Sequence, residues 1–314
     1  MPGNNQPIKT KLKTIKLITL AALFAAVALA SPRVCKAGQA AATPSPTPEV
    51  EEEKKGPFSG EVGTALTNAY IFNGLVQDKD TFIAQPYVTL NLTLYEGEGF
   101  LNEAMFMLML WSSVHDINLP VSTGSSWFEQ DINPGFMFTF AKNWTFTISD
   151  YIYTSPGDYF DTSHNLNLGL TYDDSDLLGA FALNPHFYFL QELDGHSGLG
   201  TQGDTLSQYY EIGIAPSHTF AEKSTYPVTL SFPTAAGFGT NGYYGQGFGY
   251  FNTGATVSVP LAFIPSAYGT WTSSLTGQYW RLGTDPARFT DNPNNTSTGR
   301  RDQVVVSWSI GTEF

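Results

Sequence analysis

This sequence holds one cysteine, Cys35, in 314 residues, which excludes an intrachain disulfide. Positive charge is also scarce. Lys and Arg number 15 against 28 Asp and Glu, a formal net charge of −13. Nucleic-acid binding needs a basic footprint to neutralise phosphates, so such partners are not expected. After Ala30 no apolar run approaches the ~20 residues that a membrane-spanning helix needs. No pair of His or Cys sits at metal-ligand spacing, and no cofactor is expected. The Gly-rich stretch 236–250 shows no pattern of a following helix, so it is not read as a phosphate cradle.

What is present begins with a secretory pattern. Lys9, Lys11, Lys13 and Lys16 precede a short apolar stretch, 17–30, with small-residue cleavage positions near residue 30 or residue 37. Residues 1–37 are read as a signal peptide. Its removal takes away Lys9, Lys11, Lys13, Lys16, Arg33 and Lys36, leaving nine basic against 28 acidic residues, a net of −19. Residues 38–57, rich in Pro, Thr, Ala and charge, cannot bury a core and read as a disordered periplasmic linker. Residues 58–314 suffice for one large β domain.

That domain alternates with period two. In 301–314, Val304, Val306, Trp308 and Ile310 share one face, while Gln303, Ser307, Ser309 and Glu313 share the other. Leu90 and Leu92, Phe146 and Ile148, Leu166 and Leu168, and Val257 and Val259 mark similar apolar faces. About twelve strands are expected, near 60–72, 81–95, 100–112, 127–140, 143–154, 163–173, 179–191, 207–218, 225–236, 250–262, 266–281 and 302–314. The stretch 104–111 is apolar on both phases. It fits a strand against a filled lumen or a buried helix fragment.

The intervals between strands alternate long and short. Long ones fall near 73–80, 113–126, 155–162, 192–206, 236–249 and 282–301, and short ones near 96–99, 141–143, 173–178, 221–224 and 264–266. Transmembrane barrels have short periplasmic turns and longer extracellular loops. The expected fold is therefore all-β, a transmembrane antiparallel up-and-down barrel in the bacterial outer membrane. Trp308, Ile310 and Phe314 would form a sorting signal for the barrel-assembly machinery.

Residues 68–95 carry a further signal. Tyr70, Phe72, Gly74 and Gln77 match the opening motif of the TorF-type porin family, which this segment resembles. Asn73 stands where that family has Arg, Ala69 where it has Asp, and Val76 where it has Ser. The segments 127–131, 165–174 and 185–189 are similar in style. The resemblance implies an outer-membrane barrel of porin type, without an established substrate.

On the polar phases lie Glu103, Glu129, Asp131, His186, Tyr188, Glu192, Glu211 and Arg281. Pointing inward, they would line a lumen, and a surplus of acids would favour cations. The same residues could instead pair across a narrow barrel and fill it. The expected function is passive diffusion of small solutes or ions, cation-preferring, with outer-membrane lipid as the surroundings. The alternatives are a non-conducting structural or adhesive barrel that presents its loops, and a barrel hydrolase. For hydrolysis, His115-Asp116 and His196-Ser197 are adjacent in sequence, but neighbours on a strand face opposite ways. No catalytic residue is assigned.

Overall fold

The computed structural model describes residues 56–116, 125–200, 206–288 and 300–314. The expected signal peptide and all but the last two residues of the expected linker lie outside them. Fourteen strand segments form one antiparallel sheet closed on itself. They are β1 (Phe58–Phe72), β2 (Leu75–Glu96), β3 (Leu101–His115), β4 (Trp127–Phe140), β5 (Trp144–Thr154), β6 (Ser163–Tyr172), β7 (His186–Asp194), β8 (Gln208–Ile214), β9 (Ser217–Phe220), β10 (Val228–Ser231), β11 (Thr234–Gly239), β12 (Phe248–Pro260), β13 (Thr270–Leu282) and β14 (Asp302–Glu313).

The wall has twelve strands, because β8 runs on into β9 and β10 into β11. Pro216 and Pro233 sit at these two breaks. Proline offers no N–H, so the ladder lapses there and resumes. The stretch 104–111 is a strand, part of β3, and the helix alternative fails.

Three boundaries differ from expectation. The expected loop 73–80 is mostly strand: Asn73 and Gly74 alone make the turn, and β2 begins at Leu75. Both turn residues have positive φ, 45° and 80°, the backbone of a tight hairpin turn that Asn-Gly favours. The strand expected from 179 begins at His186, since Ser175–Leu178 and Gly179–Phe181 form short helical turns. The last expected turn is longer too, running from 261 to 269. The two ends of the barrel are thus less unequal than the sequence suggests.

Closure occurs between β1 and β14, from Glu61 opposite Glu313 to Thr67 opposite Ser307. Gly63 and Gly311 face each other across this seam, and the Tyr87 side chain from β2 lies over them. A Cβ on Gly63 would come within 2.6 Å of the Tyr87 hydroxyl. Tyr87 in turn donates to Glu61 Oε1 at 2.5 Å. The Phe314 ring packs on Gly60, and its N–H reaches the Gly60 carbonyl at 3.3 Å.

An apolar belt faces outward: Phe136 on β4, Ile212 on β8, Val257 on β12, Leu275 on β13, and Val304, Val306 and Trp308 on β14 are all exposed. Phe100, Phe140, Trp144 and Tyr172 form a chain of ring contacts along the rim on the side of the chain ends. The inward face is polar, with hydroxyl pairs such as Thr256–Thr276 and Ser258–Ser274 joining β12 to β13. An apolar belt, an aromatic rim and a polar interior suit a barrel that sits in lipid.

Candidate functional site

The site is the mouth of the barrel opposite the chain ends, and the hairpin of β1 and β2 organises it. The wall ladder between β1 and β14 stops at Thr67, and that between β2 and β3 starts at Ile83. Between these points the ribbon 69–79 pairs, among the described residues, only with itself, with register shifts after Thr67 and after Tyr70. Extra residues in one strand bend a ribbon. Here the bend carries the tip across the lumen.

Contacts at the tip come from opposite walls. Phe72 meets Tyr153 of β5 with ring centroids 5.1 Å apart. Gly74 lies against the Tyr250 ring of β12, where a Cβ would approach to 2.4 Å. Asn73 Nδ2 donates to the Tyr243 hydroxyl at 2.9 Å, and the Tyr244 hydroxyl donates to the Asn73 carbonyl at 2.5 Å. These two tyrosines sit on a single-turn helix, Asn241–Tyr244, in the loop after β11. Burial pushes both phenols well above their ordinary range, so they remain neutral and can serve as donors. Ala69, Leu75 and Val76 pack with Leu190, Tyr209, Trp280, Leu282 and Val305 in one buried cluster. The hairpin tip thus packs inside the mouth of the barrel.

Acidic groups lie beside this plug. Glu129 and Asp131 point inward from β4, buried side by side on one face and close to Tyr70 of the hairpin. Glu211 of β8 accepts from Tyr209 at 2.7 Å and from Tyr250, and it lies 3.2 Å from His186 Nε2. Tyr188 stacks near His186, with ring centroids 5.1 Å apart.

Glu192 is buried in a different setting. Its carboxylate accepts the N–H groups of Ser197, Gly198 and Ser207 and the Ser207 hydroxyl. It therefore fastens the loop after β7. Glu103 faces inward near the other rim, opposite Thr139.

Arg281 corrects the sequence reading. Its register on β13 puts it on the outward face, where it bonds Asp302 at 2.5 Å beside Tyr279. Period two fixes this: Trp280 and Leu282 are the buried neighbours. Among the described residues, no Lys or Arg points inward from the wall beneath the hairpin. Trp308 and Ile310 face outward, and Phe314 packs on Gly60 as described.

A serine, a histidine and an aspartate also meet here. Ser113 Oγ lies 2.8 Å from His115 Nε2, and His115 Nδ1 lies 2.7 Å from Asp78 Oδ2. The order of atoms matches a hydrolytic relay. However, Ser113 is 0% exposed, and the Phe128 ring stacks on the imidazole at 4.4 Å. No acyl group reaches the serine in this arrangement. Asp78 belongs to the hairpin and His115 to the wall, so the trio acts as a latch between them.

The sequence reading missed Tyr153 and Tyr250, and it missed the hairpin as a plug. The Asn73-Gly74 pair between two apolar dipeptides was the available signal.

A closed antiparallel barrel with this belt, rim and interior is a transmembrane barrel of the outer-membrane type. No protein-family model matches the chain, and no curated relative does. Among solved structures, the NanC porin aligns over 81% of this chain and 98% of its own, with 12% identity and a TM-score of 0.40. An outer-membrane channel from Pseudomonas putida F1 covers 85% of this chain and 100% of its own, with 12% identity and a TM-score of 0.41. The outer membrane phospholipase A of Escherichia coli covers 85% and 95%, with 10% identity and a TM-score of 0.39.

Proposed function

We propose that this barrel is a narrow outer-membrane channel for small cationic solutes, held shut by its own first hairpin. The observation that carries the reading is the hairpin tip lying between Tyr153 and Tyr250, above inward carboxylates that, among the described residues, have no inward basic partner from the wall. Lined mostly by one sign of charge, such a passage concentrates the opposite ion. Glu129, Asp131 and Glu211 are the main candidates for selectivity, with Glu103 nearer the other rim. His186 and Tyr188 would orient Glu211. Glu192 serves the loop and is not assigned to the passage.

The test is conductance in planar bilayers, with the parent compared to a barrel in which residues 70–79 are replaced by an Asn-Gly turn. The reading expects rare openings in the parent and a steady, cation-selective current in the shortened barrel. A shortened barrel that inserts correctly and passes no current would instead make this a structural, non-conducting barrel.

A further inference from the structure

The ladder between β1 and β14 has a constant register: Glu61 faces Glu313, Ala65 faces Ser309 and Thr67 faces Ser307. Continued by one spacing at a time, it sets Ala69 against Val305, Tyr70 against Val304, Ile71 against Gln303 and Phe72 against Asp302. This part of β14 is an ordered strand. It pairs with β13 from Asp302 to Val305, while among the described residues no strand pairs with it on its β1 side. The vacated edge and the displaced segment therefore match in length and register.

Three further features fit an occupied edge. First, β1 alternates with Leu66 and Asn68 outward, so Tyr70 and Phe72 would also face outward in the wall. Aromatic side chains suit that height, at the rim of the apolar belt. Second, Asn68 stands in for the missing strand. Its side chain accepts the Val306 N–H at 2.8 Å and reaches the Val304 carbonyl at 3.4 Å. An exposed strand edge in lipid needs such cover, because unpaired backbone groups are costly there. Third, the outer surface beside Asn68 has a groove of about 310 Å³, lined by Leu66, Phe82, Leu275, Val306 and Trp308. It opens where the paired seam ends, next to the edge 302–305.

We infer that the hairpin 69–79 is a two-position gate, resting either across the lumen or in the wall paired with Asp302–Val305 of β14. The lumen position is held by polar latches: Asp78 with His115, and Asn73 with Tyr243 and Tyr244. The wall position is held by four residues of added ladder. The two positions exclude each other, since Phe72 cannot meet both Tyr153 and Asp302. The movement stands independently of what the lumen conducts.

The test uses paired cysteines in the full chain with Cys35→Ser, reconstituted in liposomes and oxidised with copper phenanthroline. Phe72→Cys with Asp302→Cys, and separately Ile71→Cys with Gln303→Cys, report the wall position. Facing residues on paired strands lie within disulfide reach. Ala65→Cys with Ser309→Cys is the control, because these residues already face each other. The expected result is disulfide formation in all three pairs in barrels whose gel mobility shows them folded, with current rising on oxidation of the first two and falling on reduction. If the control cross-links and both test pairs stay reduced, the hairpin is a fixed plug and the inference fails. Cross-linking of the test pairs without any current would uphold the movement and overturn the channel reading instead.

Discussion

Asn68 and Val306 are joined where the barrel's closing seam ends: the Asn68 side-chain oxygen accepts the Val306 N–H at 2.8 Å. One side chain replaces the strand that has turned inward. Asn68→Leu removes both of its bonds to β14 and leaves a backbone donor facing hydrocarbon. A lost hydrogen bond of this kind costs about 1–3 kcal/mol. The variant should unfold at lower urea concentration in lipid. Unchanged unfolding would show that the seam needs no cover at this point.

The plug should depend on the tip glycine. Gly74 has φ of +80° and lies against the Tyr250 ring. Gly74→Ala adds a methyl where both the backbone and the ring oppose it. We expect more frequent openings in bilayers, with the barrel itself still folded. Loss of the folded barrel would mean that the tip supports the wall as well as the plug.

The lower seam offers a coupled pair. Gly311 lies under Tyr87, with a Cβ there expected 3.0 Å from the hydroxyl oxygen. Overpacking of this kind costs about 1–3 kcal/mol. Gly311→Ala should therefore destabilise the barrel less when Tyr87→Phe has removed that oxygen. Equal losses in both backgrounds, measured by thermal unfolding in detergent, would separate Tyr87 from the seam.

Much of this was legible in the sequence because period two is rigid. Once Leu90, Leu166 and Val257 marked one face, their neighbours had to occupy the other, and the wall followed. Arg281 shows the limit. It belongs to the outward phase of β13, but its charge suggested the lumen, and only register settled the face. Asn73-Gly74 shows another. The turn chemistry was present, yet the polar residues Gln77 to Asp80 made the segment look like a loop. The latches join residues far apart in sequence, Asp78 to His115 and Asn73 to Tyr243, so no local pattern announces them.

The outward belt gives a direct membrane test. Leu168 on β6 and Val257 on β12 lie on outward faces, with Val257 exposed. An arginine at either place should cost about 2–4 kcal/mol near the bilayer midplane. Variants Leu168→Arg and Val257→Arg should insert poorly into liposomes. Insertion equal to the parent would place these positions outside the apolar belt.

In the proposed function the hairpin closes an acid-lined passage. The most direct measurement is the reversal potential of the barrel with residues 70–79 replaced by an Asn-Gly turn, under a salt gradient, with and without Glu129→Gln and Asp131→Asn. The expected result is a steady current with cation preference, weakened by the two substitutions and by high salt, where screening shortens to a few ångströms. An anion-selective current, or no current from a correctly inserted barrel, would contradict it.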